Sequence, residues 1–180
     1  MNEAGLTIVS KRDHRDFDPT PLPDLLIRQI LEFGRLAGSA RNLQPWRFLV
    51  ATSLEVRARL APAVYVPPMI QTAPLVVAIA VDTRFSQLAL MDAGRTAQNM
   101  MIGAWGEGVV SCPNGVADPA PLQAFGVLSD TEIVPTILAF GFPRVPRDPA
   151  RRSAERWIAG ARRRPLDEVV VSLDDLSTRG

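Results

Sequence analysis

The sequence predicts a three-layer α+β or α/β fold, with helices packed on both sides of a sheet. Helical and strand patterns alternate along its 180 residues. The run from Leu75 to Val81 is apolar and β-branched almost throughout, as in a strand buried on both faces. A long segment from about Ser86 to Gly106 has helical spacing, and Met91, Ala97, Met100, Met101 and Ala104 make it apolar on several sides, so it should lie centrally. The length fits one domain with a sizeable core, and no linker or internal repeat divides it. The expectation is therefore one domain over residues 1–180, with 1–10 and 174–180 peripheral and the first ten residues frayed.

The elements follow in order. Residues 22–38 read as a helix, with Leu22, Leu25, Leu26, Ile30, Phe33 and Ala37 on one face. Pro21 and Pro23 suit its first turn and Gly38 its end. A strand should run from about Trp46 to Thr52 and a short helix over 53–61. Residues 62–72, with Pro62, Pro67 and Pro68, read as irregular. In the 86–106 helix, Gln98 and Asn99 are read as buried amides bonded to neighbouring backbone. Gly106, Gly108 and Val109–Cys112 give a turn and a strand, and Pro113-Asn114-Gly115 a tight turn. A short helix over 119–125 precedes a strand over Glu132–Phe140, in which Pro135 requires an edge or a bulge. Residues 144–164 carry eight arginines and read as a solvated helix. Residues 168–173 could add a late strand, across a subunit boundary.

Composition excludes several chemistries. Net charge is +1, against a whole-protein nucleic-acid footprint. Lys11 is the single lysine among 20 basic residues. Cys112 is the single cysteine, so there is no intrachain disulfide and no cysteine-based zinc site. His14 is the single histidine, which leaves no Ser-His-Asp or Cys-His site unless His14 itself is the base, and its polar, charged surroundings speak against that. No 18-residue apolar run and no signal-peptide pattern occurs, so no membrane span is expected and the cytoplasm is the expected location. Walker A and GxGxxG sequences are absent.

Two stretches can carry a ligand. Lys11, Arg12 and Arg15 place three cations within five residues, enough to hold a phosphate, although a solvated charged turn fits the same pattern. Ser39 to Phe48 packs small, amide, proline and aromatic residues together, and Asn42 and Gln44 each offer a donor and an acceptor. A loop whose amides hold its own backbone fits as well from spacing alone.

Ser39-Ala40-Arg41-Asn42-Leu43-Gln44-Pro45-Trp46 resembles the S-x-x-N-x-Q-P-W signature of the nitroreductase-like flavoproteins. Lys11 to Phe17 resembles their R-R-S-x-R-x-F segment, and Asp92 to Asn99 their central helix. Gly108 to Asp118 resembles their G-L-G-S-C-W-I-G-A-F-D strand and loop. Ala73-Pro74, Gly141-Phe142-Pro143 and Arg163-Arg164-Pro165-Leu166 follow in the same order, and the likeness spans about residues 10–170.

The resemblance implies an α+β three-layer α/β/α fold with a mixed central sheet flanked by helices, and a homodimer with two FMN sites at the subunit interface. The long helix and the C-terminal segment would be the dimer contacts. It implies FMN contacts from Lys11, Arg12, Asp13, Arg15, Asn42 and Gln44. Pro113, Asn114 and Gly115 would line the flavin, with backbone N–H groups of this turn, which proline itself lacks, facing N5 and O4. One or two of Arg162, Arg163 and Arg164 would reach the phosphate. The implied activity passes a hydride from NAD(P)H through flavin N5 to a small acceptor such as a nitroaromatic or quinone, in ping-pong order, with no acid–base residue required. A flavin store or sensor on the same fold is the alternative. Asp13 and Pro113 depart from the family's Ser and Trp. No Lys or Arg occurs between Arg59 and Arg84, so Arg15 or Arg47 would have to supply the cation at the flavin N1/O2 edge.

Overall fold

Helices and strands alternate as the sequence pattern requires: α1 (Glu3–Ser10), α2 (Asp24–Arg35), β1 (Trp46–Ala51), α3 (Leu54–Leu60), α4 (Pro67–Thr72), β2 (Leu75–Asp82), α5 (Leu88–Gly106), β3 (Val110–Asn114), α6 (Ala120–Gln123), β4 (Glu132–Gly141) and α7 (Ala154–Gly160). The computed structural model describes residues 1–85 and 88–173. It divides into two units, one spanning Lys11–Arg147 and one combining Met1–Ser10 with the chain from Asp148 onward.

In the larger unit the four strands run in the order β1-β2-β4-β3. Every strand pair is antiparallel. The expected mixed character is confined to one parallel bridge, Asp13↔Ser111. β2 lies inside the sheet and is buried from Leu75 to Val81. Its side chains alternate between faces. Leu75, Val77, Ile79 and Val81 join α2 and α5 in one core cluster. Val76 and Ala78 join residues of α3, α4 and β3 in the other. This is the expected three-layer arrangement. Pro135 falls where the β2–β4 register shifts between Ile79 and Val81, so the strand bulges at the residue that cannot donate.

Several expectations change. Leu25 is exposed, because it stands about 140° around α2 from the buried Ile30, off the face that meets the core. Residues 62–72 are only partly irregular: Pro67 and Pro68 sit at the first helical positions of α4, where a missing N–H costs nothing. Gln98 and Asn99 are exposed, and the buried polar groups of α5 are Asp92 and Thr96. Pro113 and Asn114 belong to β3 itself, paired with Leu138 and Ile137. Proline is tolerated there because β3 is the outermost named strand on its side of the sheet. Ser86 lies outside the described residues.

In the smaller unit the first ten residues form α1 rather than a frayed end. Asn2 accepts from the Gly5 N–H at 2.9 Å, and α1 packs on α7. The expected long helix over 144–164 is only α7, capped by Ser153, which accepts from the Arg156 N–H. Trp157 is buried there and its Nε1–H donates to the Pro149 carbonyl at 2.9 Å. Residues 168–173 form no strand among the described residues. Val169, Val170, Val171 and Leu173 are exposed, with no sheet edge among the described residues of their own unit to pair with.

One ion pair closes the end of the sheet. Arg47 of β1 makes a bidentate contact to Glu132 of β4, at 2.6 Å for each bond, and donates to the Val127 carbonyl at 2.7 Å. Glu132 also accepts from the Ser129 N–H and hydroxyl. Arg47 and these Ser129 donors hold the Glu132 carboxyl down at about 2. A carboxylate held below its unfolded value stabilises the fold above that value, about 4.3 for glutamate, and the contribution is lost as pH falls toward 2. We expect Glu132→Gln to lower the melting temperature at neutral pH and to flatten the loss of stability between about pH 4.5 and 2, as read by thermal unfolding across pH. An unchanged acid limb would contradict this role.

Candidate functional site

The segment Lys11–Asp18 is laid against the β3 side of the sheet. Asp13 bridges Ser111, and the His14 N–H donates to the Ser111 carbonyl at 3.0 Å. Phe17 bridges Pro143, and the Asp18 N–H donates to the Phe142 carbonyl at 2.8 Å. Phe17 is buried, a placement worth about 2–3 kcal/mol by area. A Cβ on Gly141 would stand 2.9 Å from the Phe17 Cβ and 2.8 Å from the Pro74 Cδ, so only glycine lets these chains approach. A charged sequence is thus pinned by an apolar anchor.

This placement gathers Lys11, Asp13 and Arg15 around Cys112. Lys11 forms an ion pair with Asp13, and its Nζ lies 3.7 Å from the Met101 Sδ. Arg12 turns back and donates to the Lys11 carbonyl at 2.8 Å. Burial, and then the Asp13 carboxylate, push the Cys112 thiol up, while Arg15 and Lys11 oppose them. Cys112 is therefore a buried neutral thiol. His14 is held below its usual value by burial, with Arg147 and Lys11 adding to the effect against a bond to the Arg12 carbonyl. That bond, 3.0 Å from Nδ1 to the Arg12 carbonyl oxygen, requires Nδ1 to carry the proton. His14 serves the packing of the segment rather than proton transfer.

The end of β3 completes this edge. Among the described residues, Asn114 Nδ2 and Ser111 Oγ are buried without a hydrogen-bond partner. Buried polar atoms of this kind call for a partner that the protein itself does not supply. Past the strand, Val116 bridges Val64 and the Ala117 N–H donates to the Ala63 carbonyl at 2.8 Å. This brings the Tyr65 ring to 3.1 Å from where a Gly115 Cβ would stand, and Tyr65 remains 73% exposed. Sequence reasoning missed Tyr65 and the Asn114 side chain. The only available signal for Tyr65 was a lone tyrosine between prolines.

The second stretch lies elsewhere. Arg41, Asn42 and Gln44 all adopt left-handed φ, at 52°, 56° and 47°. Each such residue costs of order 1–3 kcal/mol unless its surroundings enforce it. Here the Gln44 N–H donates to the Ser39 hydroxyl at 2.9 Å, and Gln44 Nε2 donates to Asn42 Oδ1 at 3.2 Å. The Ala40 N–H donates to Asp92 Oδ2 at 3.0 Å, and Asp92 also takes Arg95 at 3.3 Å. Asp92, with a side chain 2% exposed, is thus the buried post to which this loop is tied. The sequence placed Asp92 in the central helix without assigning it this task.

The two stretches lie at opposite corners of the sheet. Asp13 is level with Ser111, Phe140 and Leu75, whereas Trp46, just after the loop, is level with Val81. β1 and β3 are three strand spacings apart, about 14 Å, and six residues along β2 add about 20 Å. One chain therefore does not bring Asn42 and Gln44 to Lys11, Arg12, Asp13 and Arg15. Arg47 is committed to Glu132, which leaves Arg15 as the candidate cation at this edge. Arg163 and Arg164 belong to the smaller unit. Arg163 donates to the Ala161 carbonyl at 3.2 Å, and Arg164 bonds Glu168. Arg162, with φ of 51°, ends α7 in the left-handed region.

The arrangement defines a class first: an α+β protein whose sheet edge carries a cationic segment beside buried, unpartnered donors. Its fold matches a nitroreductase family protein of Clostridium difficile 630, with a TM-score of 0.79 and 24% identity over 96% of this chain and 99% of that one. It matches equally a provisionally named nitroreductase of a Desulfovibrio desulfuricans subspecies, solved in complex with FMN, with a TM-score of 0.79 and 23% identity over 96% and 97% of the two chains. Residues 8–67 match the model of the nitroreductase family. A protein of Archaeoglobus fulgidus, provisionally named NADH dehydrogenase/NAD(P)H nitroreductase, is 24% identical over 87% of this chain and all of its own length. The chain thus joins a nitroreductase-family segment to the nitroreductase fold.

Asp92→Ala removes the acceptor of the Ala40 N–H and the partner of Arg95. It should cost about 1–3 kcal/mol of stability and speed hydrogen exchange at Ala40 and its neighbours in the 39–44 loop. Unchanged exchange there would show that the loop holds its left-handed backbone without Asp92.

Proposed function

We propose that the protein is an FMN-dependent oxidoreductase using NAD(P)H. The observation that carries this reading is the pinning of Lys11, Asp13 and Arg15 along β3, beside the unpartnered Asn114 Nδ2. Bound FMN would supply the redox chemistry, accepting a hydride from NAD(P)H at N5 and passing it to a small acceptor such as a nitroaromatic or quinone. The residues of this chain bind and orient. Lys11, Arg12 and Arg15 offer charge to a phosphate or to the flavin N1/O2 edge. The main chain through Pro113, fixed by β4 on one side and by Ala63 on the other, holds the Asn114 and Gly115 N–H groups rigid for N5 and O4. Asn114 Nδ2 is a further donor, and the exposed Tyr65 ring borders the same turn.

The wide separation of Asn42 and Gln44 from this edge supports a homodimer in which each copy presents its 39–44 loop to the other's flavin. Exposed Leu88, Leu90 and Met91 on α5, and Val169–Val171 near the C-terminus, are the apolar surfaces such an assembly would cover. A second reading, a flavin store or sensor, draws support from the lack of any Lys or Arg between Arg59 and Arg84.

Anaerobic mixing of the FMN-loaded protein with NADH and with NADPH separates the two. The oxidoreductase reading predicts loss of the oxidised flavin spectrum with at least one donor, and Arg15→Ala should weaken FMN binding about tenfold or more. Bound flavin that stays oxidised with both donors would leave only the store or sensor.

A further inference from the structure

We propose that Asp13 is a specificity residue of the flavin site, occupying the Lys11 ammonium so that the site discriminates only weakly between a phosphorylated and an unphosphorylated flavin. This rests on the flavin reading above and concerns the charge that the site prefers.

Lys11 is the single lysine of the chain, and its side chain is only 10% exposed. An ammonium so far out of water needs an anion or several acceptors. Its polar contacts are the Asp13 carboxylate and the Met101 thioether, a weak acceptor. Asp13 therefore balances the Lys11 charge. The carboxylate cannot withdraw far, because its own backbone is bridged to Ser111 and the next N–H donates to the Ser111 carbonyl. Its side chain is 50% exposed, so the paired carboxylate is open to an incoming ligand.

A phosphate dianion approaching Lys11 must either displace this carboxylate or sit beside it as a like charge. Both cost affinity. A flavin without a phosphate meets neither cost. Asp13 thus acts against the terminal phosphate while leaving contacts to the ring system at Asn114 and Arg15 untouched. Replacing Asp13 by a neutral residue of the same shape frees the ammonium for the phosphate.

The test is fluorescence titration of the flavin-stripped protein with FMN and, separately, riboflavin, in the wild type, Asp13→Asn, Asp13→Ser and Lys11→Met. Circular dichroism checks the fold of each variant. We expect the FMN-to-riboflavin affinity ratio to rise about tenfold in both Asp13 variants and to fall below wild type in Lys11→Met. A ratio that is unchanged or lower in folded Asp13 variants that still bind flavin would overturn the role of Asp13 and leave the flavin site standing. Failure of every form of the protein to bind either flavin would overturn both.

Discussion

The position of β2 is the constraint on which the rest depends. Its seven residues from Leu75 to Val81 are buried on both faces, so layers must form above and below it and strands must flank it on both sides. Antiparallel pairing to β1 and to β4 then sends the two polar stretches to opposite corners. The loop before β1 lies at the Val81 end, and the Lys11–Asp18 segment lies across the sheet at the Leu75 end. An apolar strand with no chemistry of its own thereby decides which polar groups can share a ligand.

Each polar stretch is held by one buried contact that makes its unusual conformation affordable. For the 11–18 segment it is Phe17, seated where Gly141 lacks a side chain. For the 39–44 loop it is Asp92, reaching from α5 to the Ala40 N–H. At the β3 edge Lys11 is balanced by Asp13, as Arg47 is by Glu132 and Arg84 by Asp82 at the other end of the sheet, where Arg84 holds the Asp82 carboxyl down at about 2. A ligand anion must therefore compete with carboxylates already in place, which makes the identity of residue 13 more consequential than the count of cations around it.

Much of this was legible in the sequence. The buried run at 75–81, the long helix and the bulge at Pro135 follow from hydrophobicity and proline chemistry alone. The ordered motifs placed the cationic segment and the 108–118 stretch in one family pattern. What the sequence could not convey was distance. Nothing in S-x-x-N-x-Q-P-W states that Asn42 and Gln44 lie at the far corner from Lys11, because that follows from strand order. Proline punctuation misled at Pro67 and Pro68, where two breakers start a helix, and at Pro113, which an edge strand accepts. The C-terminal Val169–Leu173 run has strand propensity without a partner strand among the described residues of its own unit, and propensity alone does not form a strand.

The central claim is that the flavin site is assembled from opposite corners of two copies. Co-expression of an Asn42→Ala/Gln44→Ala chain with a Lys11→Ala/Arg15→Ala chain tests it most directly, with tightly bound FMN counted per chain. Each variant alone should hold little flavin. Random pairing restores one intact site in each mixed dimer, so the mixture should recover about a quarter of the wild-type occupancy. No recovery on mixing, or full occupancy in either variant alone, would contradict the account.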